Sequence, residues 1–366
     1  LLELGKFTLE EIWEIPEAIR RTIIVKNNRK RIRNIAEEIV NNTTIKSIYC
    51  FGSGTSYHAG LVSTYWFSQL AHYPTHCELA PEFPYLIEPI IAEKHCCICI
   101  SQSGESELTL YAATKAAEKG AYVIALTNEE ESNLVKIVGK DRTLLTYAGK
   151  EKSVLATKTY VSQLATLTAL SVELAELRGT INSEQYEMLW DELKALPKLI
   201  ELILPRYRKQ IRDIAPYFKF AQNAFVIGTG PQYANCLEAA LKLKEGARIF
   251  AQAFSTAEFP HGPITLAESH SAFVLCIFPD SEATSRYNDV LKLVERLVDR
   301  GVTVLGIKNP TDVIELLDMS IDIPECNDVF RPIFSIIPVQ LLVVEIAAIQ
   351  GINCDTPKFL SKVSHL

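Results

Sequence analysis

The chain reads as an α/β protein built from two tandem doubly wound parallel sheets with flanking and connecting helices. Two observations predict this. Short apolar runs alternate with longer amphipathic stretches, KSIYCF, TSYHAGLVSTYWFSQLA, CCICIS, SELTLYAATKAAEKG and AYVIALTN, as parallel strands covered by helices on both faces require. The same order then returns as NAFVIG, PQYANCLEAALKLKEGA, SAFVLCIF, ATSRYNDVLKLVERLVDRG and VTVLGIKN, with Gly52 and Gly54 recurring as Gly228 and Gly230, and Asn128 as Asn309. A recurrence of whole units in register points to an internal duplication.

Taken in order, TLEEIWEIPEAIRRTI and NRKRIRNIAEEIVNN repeat apolar residues every three or four positions, which predicts leading helices over 1–44. The first sheet domain follows over 45–200. Residues 157–221 are rich in Leu, Ala and Glu and read as long connecting helices, so the boundary to the second domain, 201–350, falls near 200–220. The most apolar stretch, IFSIIPVQLLVVEIAAIQ at 333–350, is interrupted by Pro338, Gln340 and Glu345 and reads as a core helix, not a membrane span. A short tail, 351–366, ends the chain.

Composition narrows the partners. With 48% apolar and 22% charged residues the chain can bury a full core. A net charge of -7 with no basic run argues against nucleic acid or an anionic membrane surface, while a small anionic substrate stays compatible. Nine cysteines, an odd number lying mostly in strand-like runs, read as buried thiols of a reducing, cytoplasmic compartment. His95 with Cys96, Cys97 and Cys99 lacks a second ligand pair at tetrahedral spacing, so no metal site is expected.

Two strand ends are rich in small hydroxyls: Ser53-Gly54-Thr55-Ser56 after KSIYCF, and Ser101-Gln102-Ser103-Gly104-Glu105-Ser106 after CCICIS. Either alone fits an ordinary turn and N-cap as well as a ligand loop. Together, at the carboxyl ends of strands in one sheet, they fit an anion cradle. The chain has no G-x-x-x-x-G-K-[ST], and G-S-G-T-S-Y lacks the third glycine of a dinucleotide loop, so a monophosphate fits best. His58, inside the first loop-helix stretch, is read as structural.

A second constellation lies in the second copy. Glu238, Lys242 and Glu245 share one helical face, which fits either a solvated ion-pair row or, on a helix otherwise rich in Leu and Ala, a charged row facing a cleft. His261 sits in the rigid turn E-F-P-H-G-P, where an exposed His and an acid–base His are both compatible with the sequence. Lys362 stands near the end of the tail.

The ordered set SGTSY, SQSGE, ATKTY, LKLKE, EFPHGP and the C-terminal Lys resembles the sugar isomerase (SIS) family across almost the whole chain. More narrowly it is similar to the isomerase half of glucosamine-6-phosphate synthase and to stand-alone isomerase-type glucosamine-6-phosphate deaminases. The resemblance implies two flavodoxin-like SIS domains and a sugar-phosphate site lined by Ser53, Gly54, Thr55, Ser56, Ser101, Gln102, Ser103 and Ser106, with Val154 and Ser361 beside it. It implies that His261 opens the sugar ring, in a site shared between the subunits of a homodimer. Glu245 would shuttle the proton between C1 and C2, Lys242 would polarise or deprotonate a neighbouring atom supported by Glu238, and Lys362 on the closing tail would meet the substrate carbonyl. No cofactor is implied. Ala156 departs from the synthase pattern, which has a serine there, and S-V-L-A-T-K-T with L-S-K-V-S resembles the isomerase-only proteins more closely. The expected activity is therefore interconversion of glucosamine-6-phosphate with fructose-6-phosphate and ammonia. The alternatives are the isomerase domain of a glutamine-dependent synthase, a deglycase or isomerase of another aminosugar phosphate, or a non-catalytic sugar-phosphate sensor.

Overall fold

A computed structural model of the chain describes residues 4–24, 28–268, 272–280 and 284–362. Residues 25–27 of the leading segment, Ser271 and Ala283 of the second copy, and 363–366 of the tail lie outside the described residues. The chain forms two compact units: an N-terminal unit of Glu14–Glu151, Lys158–Leu199 and Ser361–Leu366, and a C-terminal unit of Leu1–Trp13, Lys152–Thr157 and Ile200–Leu360.

The leading helices are divided between them. Helix α1 (Lys6–Trp13) belongs to the C-terminal unit, because buried Asp355 accepts hydrogen bonds from its first-turn N–H groups, Thr8 N at 2.7 Å and Phe7 N at 3.1 Å. A carboxylate there satisfies donors that no turn of the helix can reach. Helices α2 (Ile15–Ile19) and α3 (Asn28–Asn41) belong to the N-terminal unit, α3 burying Ile32, Ile35 and Ile39 at helical spacing.

In the N-terminal unit β1 (Ser47–Gly52), α4 (Thr55–Gln69), β2 (Thr75–Leu79), β3 (His95–Ile100), α5 (Glu107–Glu118), β4 (Tyr122–Thr127), α6 (Asn133–Val138) and β5 (Thr143–Leu145) build a parallel sheet of order β2-β1-β3-β4-β5. β3 and β4 are buried along their whole length, which is why they read as continuous apolar runs. Helix α7 (Lys158–Leu177), expected as a connector, is buried from Lys158 to Ala175 and packs against α3 and α4 as the centre of this unit. Helix α8 (Ser183–Ile214) contributes residues to both units.

The C-terminal unit repeats the plan with β6 (Asn223–Gly228), α9 (Pro231–Ala247), β7 (Phe250–Ser255), β8 (Phe273–Ile277), α10 (Thr284–Val298), β9 (Thr303–Lys308), β10 (Met319–Asp322) and α11 (Arg331–Ile349). Its parallel order, β10-β9-β8-β6-β7, is the order of the first sheet strand for strand. Among the described residues α11 is the one helix long and apolar enough to cross a membrane, and 83% of its apolar window is buried within the fold.

Candidate functional site

In the first sheet the crossover from β1 leads to β2 on one side, and that from β3 leads to β4 on the other. The order therefore switches between β1 and β3, the point beyond which such sheets take their ligands. Both hydroxyl loops leave the sheet there, since β1 and β3 pair with Phe51 opposite Cys99. Gly54 caps α4 with φ 52° and ψ -126°, a conformation that a Cβ resists. Ser53 is exposed, Thr55 half-buried, and buried Ser56 accepts a hydrogen bond from Gln163 Nε2 at 3.1 Å.

The second loop is tightly folded on itself. Buried Ser101 Oγ lies 3.0 Å from Ser106 Oγ and accepts a bond from Gly104 N at 3.1 Å, while Ser103 Oγ accepts from Glu105 N at 3.2 Å. Gly104 has φ 66°, and a Cβ on it would stand 2.2 Å from Ser132 Oγ. Gly104→Ala therefore combines left-handed strain, about 1–3 kcal/mol, with a steric overlap that pushes the loop away from α6. We expect a lowered melting temperature and an affinity for a phosphate-bearing ligand weakened by about tenfold or more; a variant with unchanged affinity would show that this loop does not hold the phosphate.

A cavity of about 450 Å³ opens beside the second loop, lined by Gln102, Ser103 and Ser132, by Lys150 and Lys362, and by the carboxylates of Glu105, Glu129, Glu131 and Glu151. Of the eight cradle residues, Gln102 and Ser103 line it. The tail brings Lys362 to the same wall, its Nζ donating to Glu151 Oε2 at 2.7 Å, with exposed Ser361 preceding it. Val363 and Ser364 of the L-S-K-V-S motif are outside the described residues. Glu151 was not singled out by sequence: flanked by Lys150 and Lys152, it reads as part of a solvated charge run.

The other candidates belong to the C-terminal unit. Gly230 caps α9 with φ 59° and ψ -136°, repeating the geometry of Gly54, so the duplication extends to the backbone of the loop. The row on α9 does not lie on a solvated face. Lys242, 2% exposed, sits 3.3 Å from Glu238, 0% exposed, and 2.5 Å from Glu245, 18% exposed. Burial alone would pull the Lys242 ammonium down, but the two carboxylates outweigh it and hold the group above its ordinary value. His261 ends a short 3₁₀ turn, Phe259–His261, and is exposed; Gly262 follows with φ 146°. Val154 N donates to Asp355 O at 3.0 Å, and Ser153 Oγ lies 2.7 Å from Thr8 Oγ1, both within this unit.

The thiols carry no visible chemistry. Eight of the nine cysteines are buried, and burial pushes Cys50 and Cys276 up to about 12, so they stay protonated. Burial lowers the buried His95, whose Nδ1 accepts from Ala92 N at 3.0 Å. Among the described residues no group of His, Cys, Asp and Glu has metal-holding geometry.

Comparison with known proteins agrees with this architecture. The SIS domain model matches residues 43–173 and 218–350. The glutamine–fructose-6-phosphate aminotransferase [isomerizing] of Thermococcus kodakarensis is 37% identical over 97% of this chain, and its Clostridium acetobutylicum counterpart is 34% identical over 97%. The chain spans 57% and 58% of those relatives' lengths. The C-terminal domain of glucosamine-fructose-6-phosphate aminotransferase from Francisella tularensis superposes with a TM-score of 0.86 at 26% identity, over 96% of this chain and 98% of that one. The glucosamine-6-phosphate deaminase of Thermotoga maritima shares the fold, with a TM-score of 0.72 at 23% identity over 98% of this chain and 99% of that one. With both of its sheets matched by the same domain model, the chain belongs to the SIS family and carries two SIS domains in tandem.

Proposed function

We propose that the chain is a sugar-phosphate isomerase acting on aminosugars, interconverting glucosamine-6-phosphate and water with fructose-6-phosphate and ammonia. The observation that carries the reading is the pair of hydroxyl loops at the switch point of the first sheet, the second of which lines a cavity that also holds Lys150 and Lys362 among four glutamates. Hydroxyls and backbone N–H groups there suit a monophosphate.

In this reading Ser53, Gly54, Thr55, Ser56, Ser101, Gln102, Ser103 and Ser106 hold the phosphate, and Val154 and Ser361 flank the sugar. His261 moves the proton that opens the ring, in the site of a second copy of the chain. Glu245 takes the proton from C2 of the open aldose and returns it to C1. As it does so the C1 carbonyl oxygen gains a proton and the C2 amine loses one, and the resulting imine takes up water and releases ammonia. The charged Lys242 and Lys362 stabilise the oxygen on which negative charge develops.

Incubation of the purified chain with glucosamine-6-phosphate should release ammonia and fructose-6-phosphate in equal amounts, and fructose-6-phosphate with ammonium chloride should give the reverse. Tight binding of either sugar phosphate with no turnover would leave a sensor in place of an enzyme. A second reading, in which the ammonia derives from glutamine hydrolysed by a segment outside these residues, is favoured by the names and lengths of the relatives. It predicts net synthesis of the aminosugar by the longer protein with glutamine as donor.

A further inference from the structure

Glu151 is a buried carboxylate that the proposed reaction leaves without a role. Its side chain is 0% exposed. It stands ahead of α7 and accepts two hydrogen bonds from the first turn of that helix, from Thr159 N at 3.3 Å and Thr159 Oγ1 at 2.7 Å. The positive end of the helix thus stabilises it as an anion. Lys158, which opens α7 beside Thr159, is committed elsewhere, 2.5 Å from Glu14 Oε2 and 2.8 Å from Lys150 O. Lys362, drawn from the far end of the chain, pairs with Glu151 at 2.7 Å.

We propose that Glu151 is a positioning residue for Lys362: it docks the tail ammonium on the wall of the cavity that Gln102 and Ser103 also line. The proposal rests on the sugar-phosphate reading above, since its consequence is to deliver Lys362 to the sugar. A carboxylate removed from water strongly favours a counter-ion, and a lysine loses many rotamers when docked, so a carboxylate fixed at the start of α7 holds the Lys362 ammonium in one place. An ammonium has three donors, so one bond to Glu151 is compatible with another to a substrate oxygen. Docking and transition-state stabilisation therefore do not compete for the same proton.

Two measurements test this. In the turnover assay Glu151→Gln should lose about 10- to 100-fold in kcat with KM little changed, the scale of a misplaced group. The same substitution should cause no further loss in a Lys362→Met background, because Glu151 then has nothing to position. Independently of activity, a protease specific for lysine should release residues 363–366 faster from Glu151→Gln than from the unsubstituted protein. Glu151→Asp, which keeps the charge with a shorter reach, should be intermediate in both and guards against misfolding of the Gln variant. Additive losses in the double variant, or unchanged cleavage in both Glu151 variants, would overturn the docking. Should the unsubstituted chain show no turnover at all, the proposed function fails, and the cleavage rates alone decide on Glu151.

Discussion

If Glu245 shuttles the proton in the proposed isomerisation, Glu245→Gln is expected to lower kcat by about 10²–10⁴-fold, the contribution of a positioned acid–base group, with little change in KM. The choice of Glu245 over Glu238 follows from burial. Both carboxylates flank Lys242, but Glu238 is 0% exposed and Glu245 is 18% exposed, so of the two it is Glu245 that can meet a substrate. Gln keeps the size of the side chain and an acceptor for Lys242, so the melting temperature should hold while the proton shuttle is lost. If Glu238→Gln proved the more damaging to kcat at equal stability, the roles would have to be exchanged. The same variant tests the shared site. Mixed with His261→Ala subunits and allowed to exchange, it should recover about one quarter of the original activity, because each mixed dimer of a symmetric pair regains one intact site. No recovery after demonstrated exchange would place His261 and Glu245 on the same subunit.

The parts of this molecule that were legible in its sequence are those whose signal is local. Buried parallel strands such as His95–Ile100 and Tyr122–Thr127 announce themselves as apolar runs, and the glycine and hydroxyl loops that follow carry their chemistry in adjacent residues. The edge strands were not legible. β2 buries only Cys77 and carries Thr, His and Glu, and β7 and β10 each bury a single residue, so none shows the buried run that marks the central strands. β5 is three residues long, too short to show any period. Helix α7 read as a connector because its Thr, Ser, Lys and Gln residues dilute the apolar pattern, yet many of them are satisfied inside the helix, as Thr166 Oγ1 donating to Ser162 O and Ser171 Oγ donating to Leu167 O show.

Long-range pairing hid the rest. Lys362 and Glu151 lie 211 residues apart, and Asp355 caps a helix 347 residues earlier, so neither contact leaves a trace in spacing. The face shared by Glu238, Lys242 and Glu245 could be read from the helical period, but its burial could not, because a solvated ion-pair row has the same spacing. Divergence of the two copies also becomes clear only in the sheets. The second keeps the glycine turn at Gly230 but has Phe278-Pro279-Asp280 directly after β8, where Ser101-Gln102-Ser103 follows β3.

Lys242→Met is expected to cost about 3–5 kcal/mol of stability, because it removes the ammonium 3.3 Å from the buried Glu238 carboxylate. Met matches the length of the lost side chain, so the penalty is electrostatic and not a cavity. Replacing Glu238 by Gln in the same protein should restore a large part of it, and a full loss in the double variant would mean that packing dominates. The alkaline limb of the stability curve provides a second measure. Burial opposes the charge on Lys242, but Glu238 and Glu245 hold the folded-state ammonium above the ordinary 10.5. Below that pH the folded and unfolded chains both carry the proton and the stabilisation is fully present. As pH rises past it the unfolded chain releases a proton that the native one retains, so stability falls, by up to about 1.4 kcal/mol per pH unit from this one group. Lys242→Met should flatten the fall between pH 10.5 and the folded value by that amount, as read by chemical denaturation at stepped pH. An unchanged slope would mean that the native lysine releases its proton where the unfolded one does. The flanking carboxylates would then do no more than offset the cost of burying its charge.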